Sequence, residues 1–152
     1  MKKVLLTCPL SHKLFDVTLG HDNMRNFAYQ HEKIKKSVDI EILKLNISES
    51  LENQVKKIAH LKPDMVGMST FIWNLYDNLY IAGEIKRLMP EVVIILGGPQ
   101  VSDTEWNILE YTEDIDGVVR GEGEVTFSLI LKSWLKNGHV YDRTIPNYEF
   151  KE

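Results

Sequence analysis

The residues that point most directly to chemistry are two glycines that alternate with two acids. Gly121, Glu122, Gly123 and Glu124 stand in the stretch VVRGEGEVTF, just before an apolar helical pattern. A glycine pair at the start of a helix is typical of a loop that binds phosphate. Carboxylates repel phosphate at short range, so the acids argue against that ligand. The stretch instead indicates a turn with room for close approach, in which Glu124 complements the positive end of the helix.

Side chains that commonly bind metals or carry out catalysis are few and scattered. The one cysteine, Cys8, excludes an internal disulfide and a cysteine-based metal cluster within this chain. The five histidines show no metal-ligand spacing. The sequence therefore predicts that a bound ligand, rather than the protein's side chains, supplies any chemistry.

The overall composition is that of one globular domain. The chain has 152 residues, of which 43% are hydrophobic and 26% charged. Its net charge of −4 argues against general binding to nucleic acid or to anionic membranes. No apolar run approaches the roughly 20 residues of a membrane span, and the N-terminal run is too short for a signal peptide. We expect a cytoplasmic protein.

Five short apolar runs, each followed by a helical pattern, predict the elements that position these residues. The predicted strands are Lys3–Cys8, Asp39–Leu45, Asp64–Ser69, Val92–Leu96 and Gly117–Val119. Helical spacing is clearest after the second, third and fifth strands, with Ser48 or Ser50 as the N-cap of the first of these helices and Gly138 as the C-cap of the last. The region from Leu14 to Lys36 is less regular and predicts a loop plus a helix.

Repeated strand–helix alternation predicts an α/β fold with a parallel sheet and helices on both faces. The second strand alternates apolar and charged residues, as an edge strand does. This favours the doubly wound, flavodoxin-like (Rossmann-like) order 2-1-3-4-5 in a five-stranded sheet. The predicted domain covers residues 1–138, and residues 139–152 are interpreted as a linker or the start of a following domain.

Ligands of such sheets bind beyond the carboxyl ends of the strands. Four loops lie there, and their sequences are TCPLSHK, STFIWN, GGPQVS and RGEGE. Three of them are rich in small or hydroxyl residues, which let a bulky ligand approach the backbone. The clustered aspartates of a phosphoacceptor domain are missing, and so is a glycine-rich loop after the first strand.

The motifs ILGGPQVS and DGVVRGEGEVTF, about twenty residues apart, resemble the N-terminal cobalamin-binding domain of cobalamin-dependent radical S-adenosylmethionine enzymes. PDMVGMSTFIWN at the third strand is also similar to that family. The resemblance covers residues 1–138 and implies cobalamin held against the carboxyl edge, with its nucleotide tail running into the domain. The implied cofactor-binding residues are Pro9, Leu10, Ser11, Ser69, Thr70, Asn74, Gly97, Gly98, Pro99, Gly121, Glu122, Gly123 and Glu124.

Several of these residues also have purely structural interpretations. Ser69 and Thr70 could satisfy backbone groups at the strand end, and Asn74 could be the N-cap of the next helix. Gly97 and Gly98 could simply form a tight turn. Trp73 could cover the corrin ring or pack in the core or at a domain interface.

The sequence departs from related families in two ways that bear on mechanism. It has no Asp-x-His-x-x-Gly motif, which in other cobalamin proteins supplies a histidine to cobalt. The resemblance therefore implies base-off cobalamin without a protein histidine ligand. One cysteine cannot make the iron–sulfur site of radical chemistry, so S-adenosylmethionine and an iron–sulfur cluster are expected only in a radical domain of the same full-length chain or of a partner chain.

The resemblance implies that the complete enzyme carries out methyl transfer or related radical chemistry, with this chain alone non-catalytic. Two other interpretations remain open for the same fold. One is a nucleotide-binding sensor, suggested by the glycine loop at a helix N-terminus. The other is an interaction domain that has kept the fold without a ligand.

Overall fold

The computed structural model describes residues 1–10, 19–102 and 106–152. It confirms the predicted α/β architecture with its largely parallel sheet. The elements are β1 (Lys2–Leu10), α1 (Leu19–Ala28), α2 (Glu32–Ser37), β2 (Val38–Asn46), α3 (Leu51–Leu61), β3 (Met65–Ser69), α4 (Leu75–Leu88), β4 (Val93–Gly97), β5 (Gly117–Val119), α5 (Glu124–Asn137) and β6 (Tyr148–Phe150). Two short 3₁₀ turns, Pro99–Val101 and Ile108–Glu110, lie between β4 and β5.

The strand order is β2-β1-β3-β4-β5-β6. Strands β1 to β5 are parallel and follow the predicted order, with β2 at one edge. The sheet has six strands rather than the predicted five, because β6 pairs antiparallel with β5. The added strand comes from the segment interpreted as a linker, and its three residues, Tyr-Glu-Phe, do not form an apolar run of the kind that predicted β5.

Both faces of the sheet are covered by helices, as a buried parallel sheet requires. Along β1, Val4 and Leu6 pack on the face that carries α1, α2 and α5, whereas Leu5 packs on the face that carries α3 and α4. This alternation follows from the two-residue period of a strand. It fixes which residues of each strand lie beneath each helical layer.

Helix ends follow the signals in the sequence. The Ser50 hydroxyl accepts a hydrogen bond from the Asn53 amide at 3.2 Å, which caps α3. Helix α4 ends just before Pro90, and α5 ends at Gly138 in the left-handed conformation, with φ 79°. None of the helices of the described residues combines the length and the apolar character needed to span a bilayer.

Candidate functional site

A cavity of about 560 Å³ opens at the carboxyl edge of the sheet. It lies over the ends of the central strands, between helix α1 and the first turn of α5. Its lining residues are Leu6, Gly20, His21, Met24, Phe27, Gly67, Met68, Ser69, Ile95, Leu96, Gly97, Gly98, Val119, Gly121, Glu122, Gly123, Glu124, Val125 and Phe127. The volume is within the range of about 300–1,000 Å³ that is usual for small-molecule sites.

Two glycines, one within β3 and one at the end of β4, line the floor of the cavity. A Cβ atom on Gly67 would lie 2.8 Å from Leu6 Cδ2, so a larger residue there would displace Leu6. A Cβ atom on Gly97 would meet only the Val119 carbonyl oxygen, at 3.9 Å, so the space above Gly97 belongs to the cavity. The missing side chain of Gly97 therefore leaves a cradle that a ligand can fill.

The structure brings the residues of three predicted loops together around this cavity. Those that line it are Ser69, Gly97, Gly98, Gly121, Glu122, Gly123 and Glu124. They follow β3, β4 and β5, which are neighbours in the sheet. Within the described part of the chain, neither Glu122 nor Glu124 uses its carboxylate in an ion pair, so both remain available to a ligand.

Thr70 and Asn74 lie beside the cavity and hold its loop together. The Thr70 amide donates to the Gly97 carbonyl at 2.7 Å, and the Thr70 hydroxyl accepts a bond from Asn78 at 3.1 Å. The Asn74 amide group donates to the Ser69 carbonyl at 2.9 Å and accepts from the Phe71 amide at 2.7 Å. Both side chains are buried and satisfy neighbouring groups of the loop after β3. Asn74 is the first residue before α4, but its side chain does not cap that helix.

At Gly98 the loop after β4 packs against the backbone of Thr70, in the loop after β3. This glycine has φ +103°, and a Cβ atom on it would lie 2.6 Å from the Thr70 carbonyl oxygen. Pro99 then begins a 3₁₀ turn. Pro9 and Leu10 end β1, and Pro9 is not among the residues that line the cavity, whereas Ser11 lies outside the described residues.

Helix α1 contributes cavity residues that the sequence analysis missed. His21, Met24 and Phe27 lie three residues apart and face the cavity together. This three-residue spacing was a usable signal, but Gly20 and the polar residues between them obscure the apolar face. Met24 also packs against Gly123, where a Cβ atom would lie 2.9 Å from its sulfur.

His21 is held in place by β1. Its Nε2 atom lies 3.1 Å from the Thr7 carbonyl oxygen, within hydrogen-bonding distance. Burial lowers the pKa of His21 below its ordinary value, although the Thr7 bond and the charge of Asp22 act in the opposite direction. The residue therefore presents a neutral imidazole to the cavity at neutral pH.

Comparison with known families identifies the ligand that this architecture serves. The B12 binding domain family matches residues 27–131, which include the loops after β3, β4 and β5. The chain belongs to the B12-binding domain family. It is therefore a cobalamin-binding domain, as its resemblance to the radical S-adenosylmethionine enzymes implied.

Relatives of this B12-binding domain are larger proteins. The cobalamin-dependent radical SAM methyltransferase TokK of Streptomyces tokunonensis is 29% identical over 121 residues, which are 78% of this chain and 17% of TokK. An uncharacterized methyltransferase of Pyrococcus horikoshii is 28% identical over 153 residues, 99% of this chain and 33% of that protein. The chain thus spans a third or less of the length of these relatives.

The fold of this B12-binding domain also occurs in a solved structure. The radical S-adenosylmethionine methyltransferase TsrM from Kitasatospora setae, solved with cobalamin and a 4Fe-4S cluster bound, matches with a TM-score of 0.70 and 20% identity. The match covers 100% of this chain and 28% of that one. At this level of identity the likeness concerns the fold.

The residues of the cavity fit part of a cobalamin molecule. Cobalamin combines a broad corrin ring with a narrower nucleotide tail. The cradle above Gly67 and Gly97 has largely apolar walls that suit an aromatic base, whereas Glu122 and Glu124 at the rim can accept hydrogen bonds from corrin amides. Among the described residues, no group of three or more His, Cys, Asp or Glu side chains could hold a metal ion.

Proposed function

We propose that this domain holds base-off cobalamin at the carboxyl edge of its sheet and presents it to a radical S-adenosylmethionine domain. The observation that carries the proposal is the open cradle over Gly67 and Gly97 in a chain of the B12-binding family. The nucleotide tail enters this cradle, and the corrin ring lies outside it, over the loops at the rim.

The proposed contacts fall into three groups. Gly97 leaves space for the tail, Gly98 lines the same cavity, and Ser69 offers hydrogen bonds at the end of β3. Gly121 and Gly123 give the corrin edge access to the backbone, while Glu122 and Glu124 accept its amide hydrogens. The remaining predicted contacts, Pro9, Leu10, Ser11, Thr70, Asn74 and Pro99, support or border the same loops.

The base-off state is proposed from the histidines of the chain. No histidine stands in an Asp-x-His-x-x-Gly motif. His21, the histidine that lines the cavity, has its Nε2 atom within 3.1 Å of the Thr7 carbonyl oxygen and faces the space assigned to the tail. This contact favours a role beside the nucleotide rather than as a ligand of cobalt.

The complete protein is proposed to transfer methyl groups or carry out related radical chemistry. Its methyltransferase relatives support this, since this chain corresponds to a small part of each. When bound, cobalamin supplies a cobalt centre that carries a methyl group between donor and acceptor. The residues described here bind and orient that cofactor, and a radical domain of the full-length chain or of a partner chain would hold S-adenosylmethionine and the iron–sulfur cluster. The single cysteine is consistent with a cytoplasmic setting.

A cavity-filling substitution tests the proposed site. Gly97→Phe should place an aromatic ring in the cradle and abolish comigration of hydroxocobalamin with the protein in gel filtration, monitored by visible absorbance. Leu88→Phe introduces the same ring at an exposed position at the end of α4 and should leave binding unchanged. If the wild-type chain elutes colourless at saturating cobalamin, or if a folded Gly97→Phe variant still binds, the proposal is wrong.

A nucleotide sensor is the second candidate, because the first turn of α5 borders the cavity and Gly123 offers no side-chain cap. Thermal unfolding in the presence of adenine and guanine nucleotides separates the two functions. Stabilisation by a nucleotide but not by hydroxocobalamin would support the sensor.

A further inference from the structure

Arg120, directly before the Gly-Glu-Gly-Glu turn, connects β6 to the loop after β4. Its side chain is buried, with 10% of its surface exposed. Its Nε and Nη2 atoms donate to the two carboxylate oxygens of Glu149, each at 3.0 Å. Its Nη1 atom donates to the Val101 carbonyl at 2.8 Å. A bidentate pair of this kind fixes direction as well as distance.

Ser102 extends this connection to both glycine turns of the cavity rim. Its hydroxyl donates to the Gly98 carbonyl at 2.9 Å and accepts from the Gly121 amide at 3.0 Å. Because Ser102 follows Val101 in the chain, the Arg120 bond to Val101 also restrains Ser102. The spacing between the two glycine turns therefore depends on the position of Arg120.

The segment around β6 anchors this arrangement from outside the cavity. Glu149 pairs opposite Val118 in the sheet and also accepts a bond from the Asn107 side chain at 2.9 Å. The Thr126 hydroxyl, in the first helical turns of α5, donates to the Pro146 carbonyl at 3.1 Å. The segment thus contacts Arg120 and helix α5, which hold the loops after β4 and β5, but it does not line the cavity.

We infer that Arg120 and Glu149 are positioning residues of the cobalamin site, and that β6 is part of the cofactor-binding unit. Arg120 acts through Val101 and Gly121, and Glu149 acts through Arg120. Burying a guanidinium has a desolvation cost that offsets much of the attraction in such a pair. We therefore assign to this pair the role of orienting the cavity rim rather than that of stabilising the fold. The inference rests on the proposed site.

The test compares Glu149→Gln with a control at the opposite edge of the sheet. Glu149→Gln should raise the Kd for hydroxocobalamin about tenfold. Affinity falls by about this factor in metal sites when a residue that hydrogen-bonds to a metal ligand is removed. The substitution should also change the visible-region circular dichroism of the bound cofactor at saturation, since that signal reports how the corrin is held. Glu41→Gln, on the edge strand β2, removes the carboxylate partner of Lys3, 3.3 Å away, and should leave both quantities unchanged even if it lowers stability.

A second variant covers the case in which Glu149→Gln leaves Arg120 uncompensated and the protein unfolds. Arg120→Gln/Glu149→Gln removes both charges and should show the same weakened binding and altered dichroism. Wild-type Kd and dichroism in either folded variant would overturn the inference, as would equal changes in Glu41→Gln. If the wild-type chain itself does not bind hydroxocobalamin, the proposed function fails and the inference fails with it. Binding by the wild type with no effect of the variants overturns only the inference.

Discussion

The glycines around the cavity have different neighbouring atoms, and these atoms determine whether a larger residue fits at each position. Above Gly97 there is open space, so substitution there should fill the site and leave the fold intact. At Gly98 the Thr70 backbone closes against the Cα atom, so substitution there should damage the fold itself. Two adjacent glycines in one motif therefore separate ligand binding from stability.

We expect Gly98→Ala to lower the free energy of unfolding by about 3 kcal/mol, because φ +103° is strained for alanine and its Cβ would clash with Thr70. Urea denaturation followed by far-UV circular dichroism measures the change. Gly20→Ala is the matched control, since a Cβ there meets nothing within 4 Å and alanine favours a helix. A Gly98→Ala variant as stable as Gly20→Ala would contradict the close contact between Gly98 and the Thr70 backbone.

His21 should make stability depend on pH in the acid range. Its pKa is lowered in the folded state, so the unfolded chain binds the proton more readily. Its contribution is intact above the ordinary value of 6.5 and is lost as the pH falls below it. We expect His21→Gln to show a smaller loss of unfolding free energy than the wild type between about pH 7 and pH 5. Identical pH profiles would exclude this role of His21.

At the scale of elements, the principal difference from the sequence prediction is β6. Its residues Tyr148 and Phe150 pair with Val119 and Gly117 and cover the edge of β5. A short strand of this kind is stabilised by its packing rather than by propensity, so nothing in its own sequence indicates it. The four longer strands, by contrast, carry their strand signal within themselves, and β5, which is as short as β6, is apolar throughout.

Tyr148 shows how closely β6 packs. Its side chain is buried against Gly117, and among the described residues its hydroxyl has no hydrogen-bond partner. An unsatisfied buried hydroxyl costs about 1–3 kcal/mol, so Tyr148→Phe should preserve or raise stability by about 1 kcal/mol. Thermal and urea unfolding measure the effect.

The same substitution has a consequence at alkaline pH. Burial raises the pKa of Tyr148 well above its ordinary value, so the unfolded chain releases the phenolic proton first. Stability should therefore fall as the pH rises above about 10, and Tyr148→Phe should reduce that fall. A variant that is markedly less stable than the wild type would show that the hydroxyl has a partner.

At the scale of the whole molecule, the proposed ligand contacts several loops whose strands lie side by side. A ligand that binds only the folded chain stabilises it by about 2.7 kcal/mol at a concentration 100 times its Kd. For a domain of this size that corresponds to roughly 5–10 °C in Tm. We expect such a shift with hydroxocobalamin in differential scanning fluorimetry and none for Gly97→Phe. Equal shifts in both proteins would place binding outside the cradle.

The sequence by itself determined the order of the parallel strands and the edge of the sheet at which the cavity opens. Those features follow from local periodicity and from the handedness of strand–helix–strand connections, which each segment carries in its own residues. It also indicated the loops that meet at the cavity, because the loops after neighbouring parallel strands share one edge.

Only the tertiary structure decided which face of α1 closes the cavity, that Thr70 and Asn74 support the loop from beside it, and that β6 completes the sheet. The contact between Arg120 and Glu149 joins residues 29 positions apart, and no period or motif links them. Such contacts arise from the packing of whole elements in three dimensions. Local sequence patterns record the elements, but they do not record which side chains meet once those elements are packed.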